Sequence, residues 1–284
     1  MHAKQTMSGL PYATWLRQEL SARNQSYAAA HGLHACLSLG EPPVVCYKPT
    51  EDGLAHGNFL PESFGAIRAR PSWEKRFRKV HSSAGSAFVS YEGDGLKELD
   101  SSNSSDALLM NIFCYPGVLD DGRICGMLGI EAGLVPEFGW RPRVPLAGRG
   151  ADTTEVDMRL GSLLVEAKLT ENDFQSARPE QVERYRDLAE VFERRRLPRA
   201  RKQYLSYQLI RNVLAAHAHG CAFCVLFDAR RPDLREAWFA IMRAVRPLEL
   251  RLRCKALTWQ ELAAVLPEPL RGFLEEKYGI RGNL

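Results

Sequence analysis

Four charged residues that lie close together in the chain have the types and the spacing for metal-dependent hydrolysis. One residue separates Glu155 from Asp157, and one residue separates Glu166 from Lys168 in the next segment. Alternate residues of a β-strand point to the same face, so each pair shares a face if both segments are strands. Carboxylate oxygens, together with several waters, are typical ligands of Mg²⁺. The spacing therefore indicates a hydrolytic metal site.

The two segments, 154–160 and 163–169, are predicted to be the strands of one β-hairpin. A Gly-Ser pair at 161–162 separates them, and a two-residue loop that begins with glycine favours a type II′ turn. This turn fixes the register and places Asp157 opposite Glu166. One face is then apolar and consists of Val156, Met158, Leu160, Leu163, Val165 and Ala167. The other face collects Glu155, Asp157, Glu166 and Lys168.

The charged face has more acids than amines. Carboxylates that are directly opposed across a hairpin, with Cβ atoms on the order of 5 Å apart, repel each other, and a divalent cation relieves that repulsion. Lys168 then lies beside the attacking water, where it orients that water or stabilises charge on a phosphoryl oxygen. Geometry alone leaves open a solvated face on which Lys168 only pairs with Glu155. A register slip of one residue would also separate the acids.

The pattern around the hairpin predicts an α/β fold. The segment 222–227 is continuously apolar, which is typical of a strand buried on both faces. Apolar spacing predicts helices over 179–195, 203–218 and 232–245, followed by a strand near 249–257 and C-terminal helices from Trp259 onward. Strands interleaved with helices imply a central mixed β-sheet flanked by α-helices.

The N-terminal part of the chain has a weaker pattern. A helix is predicted at Tyr12–Ala30, and the polar run at 101–105 ends in good N-cap residues for a helix that continues to Phe113. A further helix is predicted at 121–130. We expect an N-terminal extension, partly irregular, over residues 1–100 and a core domain over residues 101–284.

Charge is distributed unevenly between the two halves of the 284-residue chain. Residues 1–140 contain 12 Lys+Arg and 15 Asp+Glu, whereas residues 141–284 contain 26 and 19. The basic excess of the C-terminal half favours a polyanion partner, although solvated Arg-rich helices would give the same count. The run at 194–202 could grip phosphates, and its candidate nucleic-acid-binding residues are Arg195, Arg196, Arg199, Arg201 and Lys202. A solvated linker between two helices is the alternative.

Asp157, then eight residues, then Glu166-Ala167-Lys168 resemble the PD-(D/E)XK nuclease signature. Val156 stands where that signature has proline. The run from Gln181 to Tyr185 is similar to the QxxxY element of the RecB-like branch, and 203–207 gives a second match. Segments 57–60, 104–113 and 166–174 resemble a bacterial group of restriction-endonuclease-like proteins. The resemblance covers roughly residues 55–230.

The resemblance implies a restriction-endonuclease-like core with Mg²⁺- or Mn²⁺-dependent hydrolysis of nucleic-acid phosphodiesters, for which DNA is favoured over RNA as the substrate. It implies that Asp157 and Glu166 are metal ligands and that Lys168 is the catalytic lysine. Gln181 and Tyr185 carry over as groups that support the site or contact the DNA backbone. A non-catalytic nucleic-acid-binding protein with the same fold is the alternative, and a two-carboxylate glycoside hydrolase is a third hypothesis.

Further metal ligands can be sought among the other acids, cysteines and histidines. Relatives often take one more ligand from an acid upstream of the signature, for which Glu131 and Glu137 are the candidates. A zinc site at 217–224 would use His and Cys, but no second CxxC is present and Cys224 lies within the apolar run.

Compartment and membrane association are predicted from the absence of targeting patterns. The longest weakly polar run, 108–119, is shorter than the roughly 18 residues of a membrane span. Met1–Thr6 leads into no apolar region of a signal peptide. The seven cysteines lack the density of a disulfide scaffold. We expect a cytoplasmic protein with reduced cysteines.

Overall fold

The computed structural model describes residues 9–38, 41–79 and 97–282. Within these residues the α-helices are α1 Tyr12–Ala30, α2 Pro61–Arg68, α3 Pro71–Glu74, α4 Ser105–Phe113, α5 Gly122–Leu128, α6 Pro179–Val182, α7 Leu188–Val191, α8 Tyr207–Ala218, α9 Pro232–Met242, α10 Leu248–Arg253, α11 Trp259–Ala263 and α12 Glu268–Tyr278. The β-strands are β1 Ala35–Leu37, β2 Val45–Tyr47, β3 Glu137–Trp140, β4 Val144–Pro145, β5 Ala151–Asp152, β6 Val156–Leu160, β7 Leu163–Ala167, β8 Ser176–Ala177, β9 Arg199–Ala200, β10 Gln203–Leu205, β11 Ala222–Phe227 and β12 Cys254–Thr258.

The chain divides into two compact units. The first unit contains the described residues up to Leu134 together with those from Trp259 onward, and the second unit is Val135–Thr258. The sequence pattern instead placed a domain over 101–284. The structure groups α4, α5 and the C-terminal helices with the N-terminal elements.

The second unit is built on a five-stranded mixed sheet with the order β12-β11-β7-β6-β3. Strand β11 pairs in parallel with β12 and β7, while β6 is antiparallel to both β7 and β3. Every residue of β7 is buried, as expected for a central strand covered on both faces, and this includes the charged Glu166. The expected α/β class with a central mixed sheet flanked by helices is confirmed.

Helix α8 packs on the central strands and forms the main core of the second unit. It contacts both β7 and β11 through a row of fully buried side chains. The apolar residues of this interface include Leu209, Ile210, Val213 and Leu214 of the helix and Leu164, Phe223 and Val225 of the sheet. Removing this apolar surface from water is the dominant stabilising contribution.

The β6–β7 hairpin has the predicted register over the three pairs next to the turn, and the ladder ends before the predicted pair of Asp157 and Glu166. The ladder pairs Met158 with Val165, Arg159 with Leu164 and Leu160 with Leu163. Gly161 has a φ of 55°, the left-handed backbone region that a turn starting with glycine needs. The predicted apolar face is buried: Val156, Met158, Leu160, Leu163, Val165 and Ala167 are each at most 1% exposed.

The prediction of one continuous helix over 179–195 is wrong. The segment forms two short helices, α6 and α7, separated by turns on either side of Tyr185. Tyr185 makes an antiparallel bridge with Leu146, and the backbone oxygen of Arg184 accepts from the N–H of Ala147. Because these backbone groups bond to a neighbouring segment, they cannot continue the helical ladder.

Two other predicted elements begin differently in the structure. The helix expected over 203–218 starts only at Tyr207, because 203–205 forms β10, which pairs with β8 and β9. The strand expected near 249–257 is a helix over Leu248–Arg253, followed by β12. Pro247 begins a helical turn there, and the Arg251 N–H donates to its oxygen.

The first unit contains the predicted helix α1, with the bounds expected from the sequence. Helix α1 packs against α12, and Asn24 on α1 accepts a hydrogen bond from the Tyr47 hydroxyl at 2.9 Å. Helix α4 begins as predicted, since the Ser104 side chain accepts from the N–H of Ala107.

No helix among the described residues is long and apolar enough to cross a membrane. Met1–Thr6, on which the expected lack of a signal peptide rests, lies outside those residues.

Candidate active site

The charged face of the hairpin brings Asp157, Glu166 and Lys168 together beside the central strands. Asp157 is partly exposed, whereas Glu166 is 2% and Lys168 5% exposed. The Asp157 Oδ2 atom accepts a hydrogen bond from the Ala167 N–H at 2.7 Å. This bond ties the Asp157 carboxylate to the residue between Glu166 and Lys168.

Three side chains hold the Glu166 carboxylate. Lys168 Nζ donates to Oε1 at 2.8 Å, and Asn212 Nδ2 donates to Oε2 at 2.6 Å. Arg211 lies farther away, with Nη2 4.0 Å from Oε2. Both oxygens of a buried carboxylate therefore have donors, as a charge removed from water requires.

The electrostatics keep both members of the Glu166–Lys168 pair charged. Burial alone would raise the pKa of Glu166, but Lys168 and Arg211 outweigh it and lower that pKa. Burial alone would lower the pKa of Lys168, but the charges of Glu166, Glu171 and Asp157 raise it. The site thus presents a carboxylate and an ammonium at neutral pH.

Arg211 and Asn212 are site residues that the sequence reasoning missed. Both lie on α8, 4% and 0% exposed, inside a helix whose neighbouring residues are apolar. The available signal was the adjacent Arg-Asn pair between Ile210 and Val213, which interrupts the apolar run. Its target on another strand is a tertiary contact that spacing alone does not reveal.

The alternative of a solvated hairpin face predicts that Glu155 pairs with Lys168. Its carboxylate is 3.9 Å from Arg141, and its backbone oxygen accepts from Arg211 at 3.3 Å. Lys168 makes its close ion pair with Glu166. The predicted excess of acids over basic groups on this face is reduced, because Arg211 brings a second positive charge to it.

The loop that follows Lys168 is held by a buried arginine. Arg231 is fully buried and donates to the backbone oxygens of Leu169, Glu171 and Asn172 at 2.8–3.2 Å. The N–H of Lys168 donates to Leu226 O at 2.8 Å, which continues the pairing between β7 and β11. The backbone on both sides of the lysine is therefore fixed.

The donor set at the hairpin fits a magnesium ion held by few protein ligands. Asp157 and Glu166 supply hard oxygen atoms, and Mg²⁺ is commonly bound through one or two carboxylates with several waters. Among the residues that the structure describes, no group of three or more His, Cys, Asp or Glu could hold a metal ion. These residues therefore do not form a metal site made of protein ligands alone, and the zinc site considered at 217–224 does not fit them either.

The two candidate upstream acids are both exposed. Glu137, at the start of β3, lies opposite Arg159 of β6, with 3.6 Å between carboxylate and guanidinium. Glu131 belongs to the first unit.

The two residues of the first QxxxY match have different environments. Gln181 is exposed on α6, whereas Tyr185 is 2% exposed and donates its hydroxyl hydrogen to the buried Asp152. The hydroxyl of Tyr207, the tyrosine of the second match, lies 2.7 Å from that of Tyr185. Both tyrosines therefore meet at one carboxylate.

Asp152 is the acceptor of this buried network. Besides the tyrosines, Thr154 donates to its Oδ1 through both the backbone N–H and the hydroxyl, at 2.8 Å and 2.6 Å. Burial raises the pKa of Asp152, but the donors from Thr154 and Tyr185 more than offset this and lower it. Burial, and then hydrogen bonding to Asp152, raise the pKa of Tyr185. Tyr185 therefore supports the structure from inside the second unit.

The candidate nucleic-acid-binding residues are exposed on the second unit: Arg195, Arg196, Arg199, Arg201 and Lys202. The Arg199 guanidinium stacks 3.9 Å above the ring of the buried Tyr204. Glu183 pairs with Arg194 at 2.8 Å and with Arg199 at 3.4 Å. An open cleft of about 630 Å³ is lined by Glu183, Arg194, Arg195 and Arg199. The basic run thus includes β9 and leads into β10, and its charged residues are exposed to solvent.

Comparison with curated proteins and with solved structures gives no match. A family model does match, over residues 23–279, and this range includes the hairpin, α8 and the basic run. The match extends beyond residues 55–230, over which the sequence resembles restriction-endonuclease-like proteins. The chain belongs to the family described as Restriction Endonuclease associating with ARP.

Proposed function

We propose that the protein is a metal-dependent nuclease of the PD-(D/E)XK type that hydrolyses DNA phosphodiester bonds. One observation carries the proposal: a charged lysine and two carboxylates meet on the polar face of the hairpin that forms the centre of the sheet. Membership of a restriction-endonuclease family supports it independently of this geometry.

Each polar residue of the site has a proposed role. Asp157 and Glu166 hold the divalent cation, Mg²⁺ or Mn²⁺, which when bound supplies Lewis-acid activation of the attacking water and of the phosphoryl group. Lys168 remains protonated and stabilises the negative charge that develops on the phosphoryl oxygens. Asn212 and Arg211 position Glu166, since they bond to or face its second oxygen.

The substrate backbone is held by groups outside this cluster. Arg195, Arg196, Arg199, Arg201 and Lys202 supply positive charge for the phosphates, and each phosphate neutralised releases counterions. Gln181, which is exposed on α6, donates to the backbone or supports the site. Tyr185 acts through Asp152, because its hydroxyl is bonded inside the protein.

One observation favours the alternative of a non-catalytic nucleic-acid-binding protein with this fold. Both oxygens of Glu166 already accept hydrogen bonds from side chains. A metal would have to share or displace one of those donors. Cleavage, rather than binding, is therefore the property that separates the two functions.

The test is cleavage of supercoiled plasmid with Mg²⁺, with Mn²⁺ or with EDTA. The proposal predicts cutting by the wild type with either metal, no cutting with EDTA, and a loss of about 10²-fold or more for Lys168→Ala and Asp157→Ala. Lys75→Ala, an exposed lysine of the first unit, is the matched control and should cut normally. Equal cutting by all variants would indicate a contaminating nuclease, and DNA binding without cutting would favour the alternative.

A further inference from the structure

The β1–β2 hairpin of the first unit places two thiols directly opposite each other. Cys36 on β1 is the register partner of Cys46 on β2, and both are free cysteines. A side-chain hydrogen bond joins the two residues. Cys36 is partly exposed, whereas Cys46 is 1% exposed and packs with Val44. Cys36 is thus accessible to solvent reagents, whereas Cys46 is shielded from them.

The Cα separation of this pair lies within the range that disulfide bonds span. The Ser38 N–H donates to the oxygen of its cross-strand neighbour Val44 at 2.9 Å. Hydrogen-bonded pairs recur at every second residue, so Cys36–Cys46 is also such a pair, with Cα atoms about 5.5 Å apart. Disulfides span Cα distances of about 4.4–6.8 Å. Because Cβ atoms at such pairs are farther apart than a disulfide prefers, the bond would be strained and readily reduced.

We propose that Cys36 and Cys46 form a redox-sensitive modification site, which hydrogen peroxide or an organic hydroperoxide oxidises to an intrachain disulfide. This site is independent of the proposed nuclease chemistry. It differs from the other cysteine pair that is close in sequence, Cys221 and Cys224, both of which are buried.

The reaction has two steps that balance. The Cys36 thiolate attacks a peroxide oxygen, so that an S–O bond forms and the O–O bond breaks; the leaving hydroxide or alkoxide takes up the proton that the Cys36 thiol released and departs as water or alcohol. The Cys46 sulfur then attacks the sulfenic sulfur of Cys36; the S–S bond forms and hydroxide leaves with the Cys46 proton as water. Two electrons pass from the thiols to the peroxide.

The environments assign the order of the two cysteines. Burial, and then the neighbouring Cys36 and Asp100, raise the pKa of Cys46 to about 12. Cys46 therefore stays a thiol at neutral pH and is screened from the oxidant. Cys36, which is partly exposed, meets the peroxide first, and Cys46 resolves the sulfenic acid.

The test uses the full-length native protein and hydrogen peroxide, followed by alkylation of remaining thiols and digestion with trypsin. Both cysteines fall in one tryptic peptide, 24–68, because trypsin cuts after Arg23 and Arg68 but not between Lys48 and Pro49. Oxidation should yield that peptide unalkylated and lighter by two hydrogen atoms, and dithiothreitol should restore the alkylated form. Further cleavage of the oxidised peptide after Leu37 should leave its two fragments joined by the disulfide bond.

Variants separate the two steps. Cys46→Ser should trap Cys36 as a sulfenic acid that dimedone labels, whereas Cys36→Ser should leave Cys46 reduced and alkylated only after unfolding. The proposal is overturned if wild-type Cys36 and Cys46 both stay alkylatable at a peroxide concentration that labels Cys36 in Cys46→Ser. It is also overturned if Cys36 links to a different cysteine. Neither readout depends on DNA cleavage, so failure here leaves the proposed nuclease function untouched.

Discussion

The charge of Glu166 depends on a few side chains that surround it. Its carboxylate is almost completely buried and accepts from Lys168 and Asn212. A buried ion pair adds little net stability when both partners are present, but removing one partner leaves an uncompensated charge. The pair is therefore better explained by a chemical role than by a gain in stability.

Replacing the lysine of this pair should destabilise the fold. Lys168→Met removes the amine from Glu166, and we expect a loss of about 3–5 kcal/mol in the free energy of unfolding, measured by urea denaturation. The double variant Glu166→Gln/Lys168→Met should recover part of that loss, because the carboxylate that lost its amine is then neutral, although the buried Arg211 keeps its charge. Lys75→Met, at an exposed position, should stay within about 0.5 kcal/mol of wild type. A Lys168→Met protein as stable as this control would contradict the structure.

The stability that the charged Glu166 carboxylate contributes should depend on pH. The folded state lowers the pKa of Glu166, so its contribution to stability is present above the ordinary glutamate pKa of about 4.3 and is lost as pH falls through the folded value. The stability difference between wild type and Glu166→Gln, followed by urea denaturation from pH 7 to pH 3, should therefore change in favour of the variant as pH falls. A difference that stays constant with pH would refute the assignment.

Sequence alone could identify Asp157, Glu166 and Lys168 as sharing one face, since strand alternation and a two-residue turn fix that relation. It could not identify Arg211 and Asn212 as partners of Glu166. Their contact depends on how α8 lies across β7, which no local periodicity encodes. The neutralising charge of Arg211 was missed for the same reason.

At the level of elements, the hairpin turn and α8 together position the site. Asn212 Nδ2 bonds to Glu166 from α8, and Gly161 fixes the register of the two strands that carry the acids. Each contribution can be tested separately.

The hydrogen bond that Asn212 of α8 donates to Glu166 should contribute measurably to stability and to cleavage. Asn212→Ala leaves one oxygen of Glu166 without its closest donor, and we expect a loss of about 1–3 kcal/mol in unfolding free energy together with reduced cleavage. His217→Ala, near the end of the same helix and partly exposed, is the control, with an effect of about 0.5 kcal/mol or less. Equal effects of the two substitutions would argue against a positioning role for Asn212.

The turn should tolerate substitution at only one of its two positions. Gly161 has a φ of 55°, so Gly161→Ala should cost about 1–2 kcal/mol in unfolding free energy. Ser162→Ala, at the exposed neighbouring position, should cost little. If Gly161→Ala were as stable as Ser162→Ala, the turn geometry would be incorrect.

Elements with strong local signals were predictable, whereas those decided by neighbouring segments were not. Helix α1 and the apolar strand β11 follow from periodicity and composition. The segment 179–195 has helical spacing, but its backbone bonds to 145–147 override that preference. The QxxxY matches consequently lie on mixed structure, and both their tyrosines converge on Asp152.

At the scale of the whole molecule, the uneven charge distribution bears on how substrate is held. The basic excess belongs to residues 141–284, and the exposed basic residues within 195–202 lie in the second unit, which also contains the catalytic candidates. Long-range attraction of this kind is screened by salt.

DNA affinity should therefore carry a salt dependence that this run controls. The triple variant Arg199→Ala/Arg201→Ala/Lys202→Ala should bind duplex DNA more weakly and lower the slope of log affinity against log salt by about 0.9 for each phosphate that is no longer neutralised. Fluorescence anisotropy at several salt concentrations measures this slope. Arg271→Ala, an exposed arginine of α12, is the control and should leave the slope unchanged. An unaltered slope in the triple variant would place the DNA surface elsewhere.

The central claim is that the hairpin carboxylates bind a divalent cation, and titration calorimetry with Mn²⁺ tests it most directly. The account predicts a single site in the wild type whose affinity falls by about tenfold or more in Asp157→Asn. Glu180→Gln, an exposed acid on α6, should bind Mn²⁺ like the wild type. Equal affinity of wild type and Asp157→Asn, with the fold of both verified by circular dichroism, would contradict the account.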